Sequence, residues 1–283
     1  TAPGNSRVAE GADFLAAGAS PASGDGAAST TIGPMRTRLG NYTQINSKVI
    51  SVSGSRRAID QAGVADEYAY QLKKRGTEMR RDMEFDVVNT YNKQTTSGAR
   101  QTGGFQSFIN SGDTCVFKGD FTAPSVAAGG AKAALALTDI DSVMQKIYEN
   151  GGSATRIMVS PKLRRDFSDL MVNDTGVRRN IDEDGKLRQS VDVYMSDFGD
   201  LMVVPNYIMG LAHTTTDATT TQFDAADSAA LIYDPQWFAM ATLRPMQEVE
   251  VGQKGDSTVG MFVEEWSLEV KNPKGCGAIY GLT

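Results

Sequence analysis

The feature that most constrains the fold is a helical pattern that runs from Asp66 to Tyr91. Apolar or small residues recur there at steps of three and four, so they share one side of a helix with 3.6 residues per turn. They are Tyr68, Leu72, Gly76, Met79, Met83 and Val87. At 1.5 Å per residue the helix would be about 39 Å long, much longer than an ordinary globular helix. We therefore predict one long helix, called the spine helix below.

The other side of the spine helix is rich in charges at i,i+4 spacing, which favours the pairs Lys74–Glu78 and Arg80–Glu84. Three apolar residues interrupt this charged side: Tyr70, Phe85 and Val88. They are either scattered surface residues or part of a second contact, such as one with another subunit.

Composition excludes several classes of protein. The net charge of −6 argues against a dedicated nucleic-acid binder, because such proteins cluster Lys and Arg to neutralise phosphates. Cys115 and Cys276 are too few for a disulfide framework, so a reducing compartment is expected. No apolar run reaches the roughly 20 residues needed to cross a membrane, and no secretory leader is expected.

Two segments before the spine helix are poorly suited to fold alone. Residues 1–33 are rich in Ala, Gly and Ser, and are either a disordered tail or an arm that orders against a partner chain. Residues 34–62 alternate polar and β-branched residues, which predicts a two-stranded hairpin. Because an isolated hairpin is marginal in water, it either folds back on the body or reaches a neighbour.

The remaining pattern mixes helices and strands, so the fold class is α+β. Thr138 is a suitable N-cap for a helix that ends at Glu149, and Pro161 begins another that ends near Met171. Strands are predicted near residues 114–118, 155–160, 190–195, 201–205, 229–234, 246–253, 259–272 and 276–282, the last three forming an antiparallel end to the chain.

Catalytic and metal motifs are weak. His213 is the only histidine and lies in a Thr- and Ala-rich loop. The acidic turn at residues 180–185 imitates the start of a calcium loop, but Val191 stands where the bidentate Glu is required. Asp197 and Asp200 could form an acid–base pair, although a tight turn also favours these residues. We therefore expect no enzyme, no cofactor and no metal site.

Several stretches of the sequence resemble one branch of the tailed-bacteriophage major capsid proteins, whose fold is shared with encapsulin shells and herpesvirus capsid floors. The similar blocks cover most of the chain from Arg36 onward and occur in the same order as in that family. They are RLGNYTQI, VSGSRRAIDQAG, DEYAYQLKKRGTEMRRDME, DFGDLMVVPNYIM, ALIYDPQWFAMATLRP and GDSTVGMFVEEWSLEVKNPKG.

The resemblance implies an organisation into five segments. They are an N-terminal arm (1–33), an extended hairpin loop (34–62), a peripheral domain with the spine helix (63–136), an axial domain (137–234) and a return to the peripheral domain beside the spine helix (235–283).

The resemblance also implies a function. It predicts a major capsid protein that self-assembles through hexamers and pentamers into an icosahedral head around double-stranded DNA, built in the host bacterial cytoplasm. Scaffolding, portal and decoration proteins would be its partners, and the packaged DNA would be contacted weakly. An encapsulin-like compartment shell and an unrecognised soluble enzyme remain the alternatives.

Candidate assembly contacts follow from the matched loop and the spine helix. Some relatives cross-link subunits through a Lys and an Asn; Lys48 lies in the corresponding loop, but no matching Asn can be named. The candidates are Arg36, Arg38, Tyr42, Gln44, Lys48, Arg56, Arg57, Tyr70 and Phe85.

Overall fold

A computed structural model describes residues 40–59, 63–64, 66–93, 99–122, 131–174, 192–210 and 229–283. Its helices are α1 (Gly54–Ala58), α2 (Glu67–Asn89), α3 (Phe105–Phe108), α4 (Leu137–Glu149) and α5 (Pro161–Asp174). Its strands are β1 (Gln44–Ser53), β2 (Cys115–Phe117), β3 (Arg156–Val159), β4 (Val193–Ser196), β5 (Gly199–Pro205), β6 (Ala229–Tyr233), β7 (Phe238–Lys254), β8 (Ser257–Val270) and β9 (Gly277–Tyr280).

The predicted spine helix is confirmed as α2. Asp66 caps its N-terminus by accepting a hydrogen bond from the backbone N–H of Tyr68 (2.9 Å), and the helix ends before Thr90. Met79, midway along the inner side, is fully buried. Val88 departs from the prediction because it is buried rather than part of the charged side. The reason is that the last turn of α2 enters the body of the protein and packs among the side chains of α3 and its neighbours.

A six-stranded sheet forms the body, with strand order β2-β9-β6-β3-β5-β4. Successive side chains on each strand point to opposite faces, so the sheet carries a hydrophobic core on each side. One core is closed by α4 and α5 and includes Ile140, Val143, Met144, Ile147, Leu163 and Phe167. The other is closed by α3 and the end of α2 and includes Val88, Phe105, Ile109, Leu231 and Tyr280.

The helix predicted to end at Glu149 is confirmed as α4, but it begins earlier than predicted. Thr138 lies inside the helix, and Ala136 is the residue that precedes its first turn. Ala136 supplies no side-chain cap, and the carboxylate of Asp139 in the first turn accepts a hydrogen bond from the backbone N–H of Ala136 (2.9 Å). The helix ends at Asn150, as the Asn-Gly-Gly sequence predicts.

The prediction of two strands within residues 34–62 is wrong. The described part of this segment is one ten-residue strand, β1, followed by the short helix α1. All ten residues of β1 pair antiparallel with β8, from Gln44 opposite Trp266 to Ser53 opposite Ser257. A continuous partner strand removes any need for a turn near Asn46. β7 and β8 form a long antiparallel hairpin, and β1 adds the third strand to it.

The end of the chain also differs from the prediction. β8 lies beside the spine helix, whereas β9 joins the six-stranded sheet between β2 and β6 instead of extending the antiparallel pair. This sheet therefore takes strands from three predicted segments, 63–136, 137–234 and 235–283. The boundaries between the peripheral and axial domains stay predictions.

Several predictions lie outside the described residues. They concern the arm (1–33), Arg36, Arg38, the acidic turn at 180–185 and the loop that holds His213.

Gly104→Ala is expected to destabilise the subunit. A Cβ at Gly104 would lie 2.6 Å from the backbone oxygen of Asp86 and even closer to that of Val87, at the end of α2. We expect a loss of about 1–3 kcal/mol in the free energy of unfolding, measured by urea denaturation of unassembled protein. Gly112→Ala is the control, because a Cβ there meets nothing within 4 Å. Equal stability of the two variants would contradict the close approach.

Candidate assembly surface

The three strands β1, β8 and β7 form a separate sheet, called the extended sheet. β7 and β8 are 17 and 14 residues long and are joined by a turn at Gly255, which adopts a φ of 65° that favours glycine. At this tip, the backbone N–H of Gly54 in α1 donates to the backbone oxygen of Asp256 (2.6 Å). β7 is an edge strand with three register shifts, and Pro245 lies within one of them.

One face of the extended sheet, its inner face, packs on the spine helix through polar contacts. Lys48 of β1 forms an ion pair with Asp82 of α2 (2.6 Å). One turn further along the helix, the amide of Gln44 donates to Asp86 (2.6 Å). Near the helix N-terminus, the hydroxyl of Tyr68 donates to a carboxylate of β7, Glu248 (2.6 Å). These contacts fasten the sheet along most of the length of α2.

Glu265 joins three segments at the base of the extended sheet. Its carboxylate accepts hydrogen bonds from the hydroxyl of Thr43 (2.8 Å), from Arg100 (2.9 Å) and from Arg244 of β7 (3.0 Å). The hydrogen bond from Thr43, followed by the bond and charge of Arg244, lowers the pKa of Glu265. The ionised carboxylate therefore holds together β7, β8 and the residues that precede β1.

Asp86 and Glu264, which lie at the inner face, are harder to ionise than Glu265. Burial raises the pKa of Asp86 to about 6; the hydrogen bond from Gln44 acts in the opposite direction, and the charge of Asp82 adds to the rise. Burial also raises the pKa of Glu264, which stands opposite Asn46 in the sheet. The contact between sheet and helix thus combines partly dehydrated polar groups with buried apolar side chains, among them Ile50, Val52 and Met79.

The other face of the extended sheet, its outer face, carries a row of apolar side chains bordered by polar ones, Ser47 and Ser51 of β1 and Glu265 of β8. In the register, Val49 of β1 lies opposite Met261 of β8, which lies opposite Val249 of β7. This row crosses all three strands, and Ile45 and Val263 adjoin it on the same face. The exposed fractions are 59% for Val49, 48% for Ile45 and 37% for Val249. Contiguous exposed apolar side chains of this kind mark interaction surfaces.

The structure places several predicted assembly residues in contacts within the chain. Gln44 and Lys48 bind α2, as described above. Arg56 lies 3.9 Å from Glu67, and Arg57 donates to the hydroxyl of Thr258 (3.0 Å), so both tie α1 to its surroundings. Their part in assembly stays a prediction.

The other predicted residues are more accessible. Tyr42, just before β1, is 40% exposed, and Tyr70 is 43% exposed with the ammonium of Lys74 at 4.7 Å from its ring centroid. Phe85 is half-buried and lines a groove of about 470 Å³ between β1, α2 and Tyr207. These three keep surface available for a partner, which again stays a prediction.

Sequence reasoning missed the apolar outer face. It favoured charged and polar residues of the 34–62 segment and passed over Ile45 and Val49. The signal was present in the β8 sequence STVGMFV, where apolar residues occupy both alternating positions instead of one. A strand that is apolar on both sides is typical of one that is covered on both sides.

The described residues that could have carried catalysis or metal binding occupy a β-hairpin or the buried core. Asp197 lies in the β4–β5 turn and Asp200 in the second pair of that hairpin. Burial raises the pKa of both thiols, Cys115 and Cys276, to about 11. Within the described ranges, no group of three or more candidate metal ligands occurs, and no helix is both long and apolar enough to span a bilayer.

Comparison with known proteins gives a consistent result. A family model described as the SU10 major capsid protein matches residues 11–283. The major capsid protein of Escherichia phage Phieco32 is 25% identical over 277 residues, covering 85% of this chain and 75% of that protein.

Two solved structures show the same fold. The holo-SrpI encapsulin complex from Synechococcus elongatus PCC 7942 gives a TM-score of 0.55 at 10% identity, covering 85% of this chain and 74% of the other. The satellite phage P4 procapsid that includes the size determination protein gives 0.50 at 12% identity, covering 98% and 82%. The predicted α+β capsid fold is confirmed.

Asp86→Asn is expected to stabilise the unassembled subunit at pH 7. The pKa of Asp86 is raised from 3.8 to about 6 on folding, so the folded state binds the proton more tightly than the unfolded state. This contribution to stability is largest below pH 4 and is lost as the pH rises through about 6. The variant should gain about 1–2 kcal/mol at pH 7 and show a flatter stability profile between about pH 4 and 6.

Urea denaturation across that pH range measures the effect. Glu84→Gln, on the exposed side of the same helix, keeps Asp86 and should therefore retain the wild-type profile. A wild-type profile in the Asp86 variant would contradict this account.

Proposed function

The chain belongs to the SU10 major capsid protein family, and we propose that it forms, through hexamers and pentamers, the icosahedral head around the double-stranded DNA of a tailed bacteriophage. Its place is the virion capsid, and its assembly takes place in the host bacterial cytoplasm. Scaffolding and portal proteins are the partners expected during assembly, and decoration proteins afterwards.

One observation supports this proposal most directly: the extended sheet has an inner face fastened to its own spine helix and an apolar outer face that is open. Among the described residues, none packs over the row formed by Val49, Met261 and Val249. A neighbouring subunit is the natural cover for it, because a closed shell brings a second copy against every subunit.

The size of this face suits a shell. Three strands spaced about 4.8 Å apart and ten residues long give a footprint of about 14 by 33 Å. This is smaller than the roughly 800 Å² per partner of a standard interface, so a single contact of this kind would be weak. Weak contacts repeated over many copies close a stable shell while wrongly placed subunits still dissociate.

The remaining segments take the roles that the family suggests. Residues 63–136 form the peripheral domain, residues 137–234 the axial domain near the centre of each capsomer, and residues 1–33 an arm that orders against a partner chain. Arg36 and Arg38 belong to the segment that crosses a neighbour.

An encapsulin-like compartment is the alternative with structural support, since an encapsulin has the same fold. The family match favours the capsid, because it identifies a major capsid protein over nearly the whole chain. The contents of the shell distinguish the two: packaged DNA supports the virus, and an enclosed enzyme supports the compartment.

Electron microscopy and sedimentation of purified, DNA-free protein test assembly directly. We expect closed shells, or rings of five and six subunits. A homogeneous small species under all conditions, including co-expression with the neighbouring head genes, would contradict the proposal.

Val49→Glu is expected to block assembly without unfolding the subunit. The side chain is exposed in the single chain, so a charge there costs the fold little, whereas burial against a neighbour would leave that charge unpaired. Val49→Ile is the control and should assemble like wild type. Circular dichroism checks the fold, and sedimentation measures the fraction of subunits in shells. Normal shells from Val49→Glu would exclude the outer face as an interface.

A further inference from the structure

The side of α2 that faces away from the extended sheet is strongly basic. At 100° per residue, seven residues from the middle of the helix fall within an arc of about 120°. All seven are exposed. We call them the basic face: Tyr70, Lys73, Lys74, Thr77, Arg80, Arg81 and Glu84.

The four cations of this face are not neutralised by neighbours on it. Lys74 lies over the ring of Tyr70, at 4.7 Å from its centroid. Arg81 donates to the hydroxyl of Tyr207 (2.9 Å), which is a neutral partner. Glu84 is the only carboxylate of the face, and it accepts a hydrogen bond from Asn206 (2.9 Å).

Nearby carboxylates form their ion pairs elsewhere. Glu78 pairs with Arg75 at 2.6 Å, although its charge also acts on Lys74 and Arg81, and Asp82 pairs with Lys48 at the inner face of the sheet. Arg80 lowers the pKa of Glu264 through its charge, but that carboxylate is buried behind the helix. Four cations with one carboxylate therefore remain on the surface of a chain whose net charge is −6.

The layer formed by the extended sheet and α2 thus has two unlike sides. The outer face of the sheet carries the apolar row of Val49, Met261 and Val249 and suits another protein surface. The basic face, on the opposite side of the same layer, offers no apolar side chain except part of Tyr70, so its partner must be anionic. We propose that the basic face binds the phosphate backbone of double-stranded DNA without recognising base sequence. This inference rests on the proposed function, which supplies the DNA.

The spacing of the cations matches such a partner. The pair Lys73–Lys74 and the pair Arg80–Arg81 are separated by seven residues, or about 10 Å along the helix. A duplex presents one negative charge per about 1.7 Å of its axis, so each pair meets its own phosphates. Guanidinium groups bind phosphate oxygens in a bidentate manner, and ammonium groups act as point charges.

The contact is expected to be weak for one subunit and substantial for a shell. Four phosphate contacts on an acidic chain give low affinity for a single copy, whereas many copies facing the same DNA act together. A helix face held flat against the backbone presents no side chain to the base edges, so no sequence preference is expected.

Fluorescence anisotropy of a labelled duplex with the full-length, unassembled protein tests the proposal. The variant carries Lys73→Gln, Lys74→Gln, Arg80→Gln and Arg81→Gln, since glutamine keeps helix propensity and removes charge. Titration from about 20 to 200 mM salt should show that the slope of log K against log salt is shallower in the variant by about 3–4. A second variant with only Lys73→Gln and Lys74→Gln should lose about half of that amount.

A matched control removes the same charge from exposed cations elsewhere, with Lys132→Gln, Lys162→Gln, Arg165→Gln and Lys274→Gln. It should keep the wild-type salt slope. The proposal is overturned if the basic-face variant keeps that slope, if the control loses as much, or if wild type shows no binding at low salt. Tighter binding of polyglutamate than of DNA would assign the face to an acidic protein segment and would also overturn it.

Shell formation is measured separately on the same samples. The basic-face variant should still form shells, so failure of wild type to assemble would reject the proposed function and not the DNA contact. If the variant loses assembly but keeps DNA binding, the basic face is a subunit interface and this inference is wrong.

Discussion

The extended sheet depends on the packing of its inner face against the spine helix. A three-stranded sheet with two faces in water would have little stability of its own. Here α2 covers one face along most of its length, with contacts at Lys48, Gln44 and Tyr68. Val88, in the last turn of α2, is buried in the body of the protein. The helix therefore connects the sheet firmly to the body. Removing this support would leave the assembly surface without a scaffold.

The polar character of this contact has a cost and a benefit. Asp86 and Glu264 give up hydration, which is why their pKa values rise. The same face also buries Ile50 and Val52 of β1. Because side chains alternate, a shift of β1 by one residue would turn Val49 toward the helix and would expose Lys48, Ile50 and Val52. The polar contacts and the burial of these two apolar side chains therefore select together the alignment in which Val49 faces outward.

The success of sequence-based prediction depended on how local each signal was. The spine helix and α4 carry their periodicity and their ends within one continuous stretch, so both were found. The start of α4 was placed too late because Thr138 lies inside the helix, which begins at Leu137 without a side-chain cap. The strand β1 was misjudged as a hairpin because its partner, β8, lies about two hundred residues further along the chain. Val88 was misplaced for the same reason, since the residues that bury it come from distant segments.

The candidate surface was the part least accessible to sequence reasoning. Val49, Met261 and Val249 form one row only after three separate strands are aligned, and no single strand reveals the row. The family resemblance suggested residues 34–62 as an assembly segment, which stays a prediction, and it did not identify which side chains face outward. The basic face of α2 was visible as charges in the sequence, yet the expected pairs Lys74–Glu78 and Arg80–Glu84 concealed it, because Glu78 and Glu84 use other partners.

The irregular edge of β7 has a consequence for a protein that must accumulate before it assembles. A long edge strand exposes backbone N–H and C=O groups to which any other strand could add, and such addition leads to aggregates. Pro245 and the three register shifts interrupt the regular ladder that an incoming strand would need. Concentrated subunits are thereby discouraged from adding strands at the β7 edge of the sheet. Subunits then associate through side-chain contacts. Such contacts are reversible, and their geometry permits a finite, closed particle.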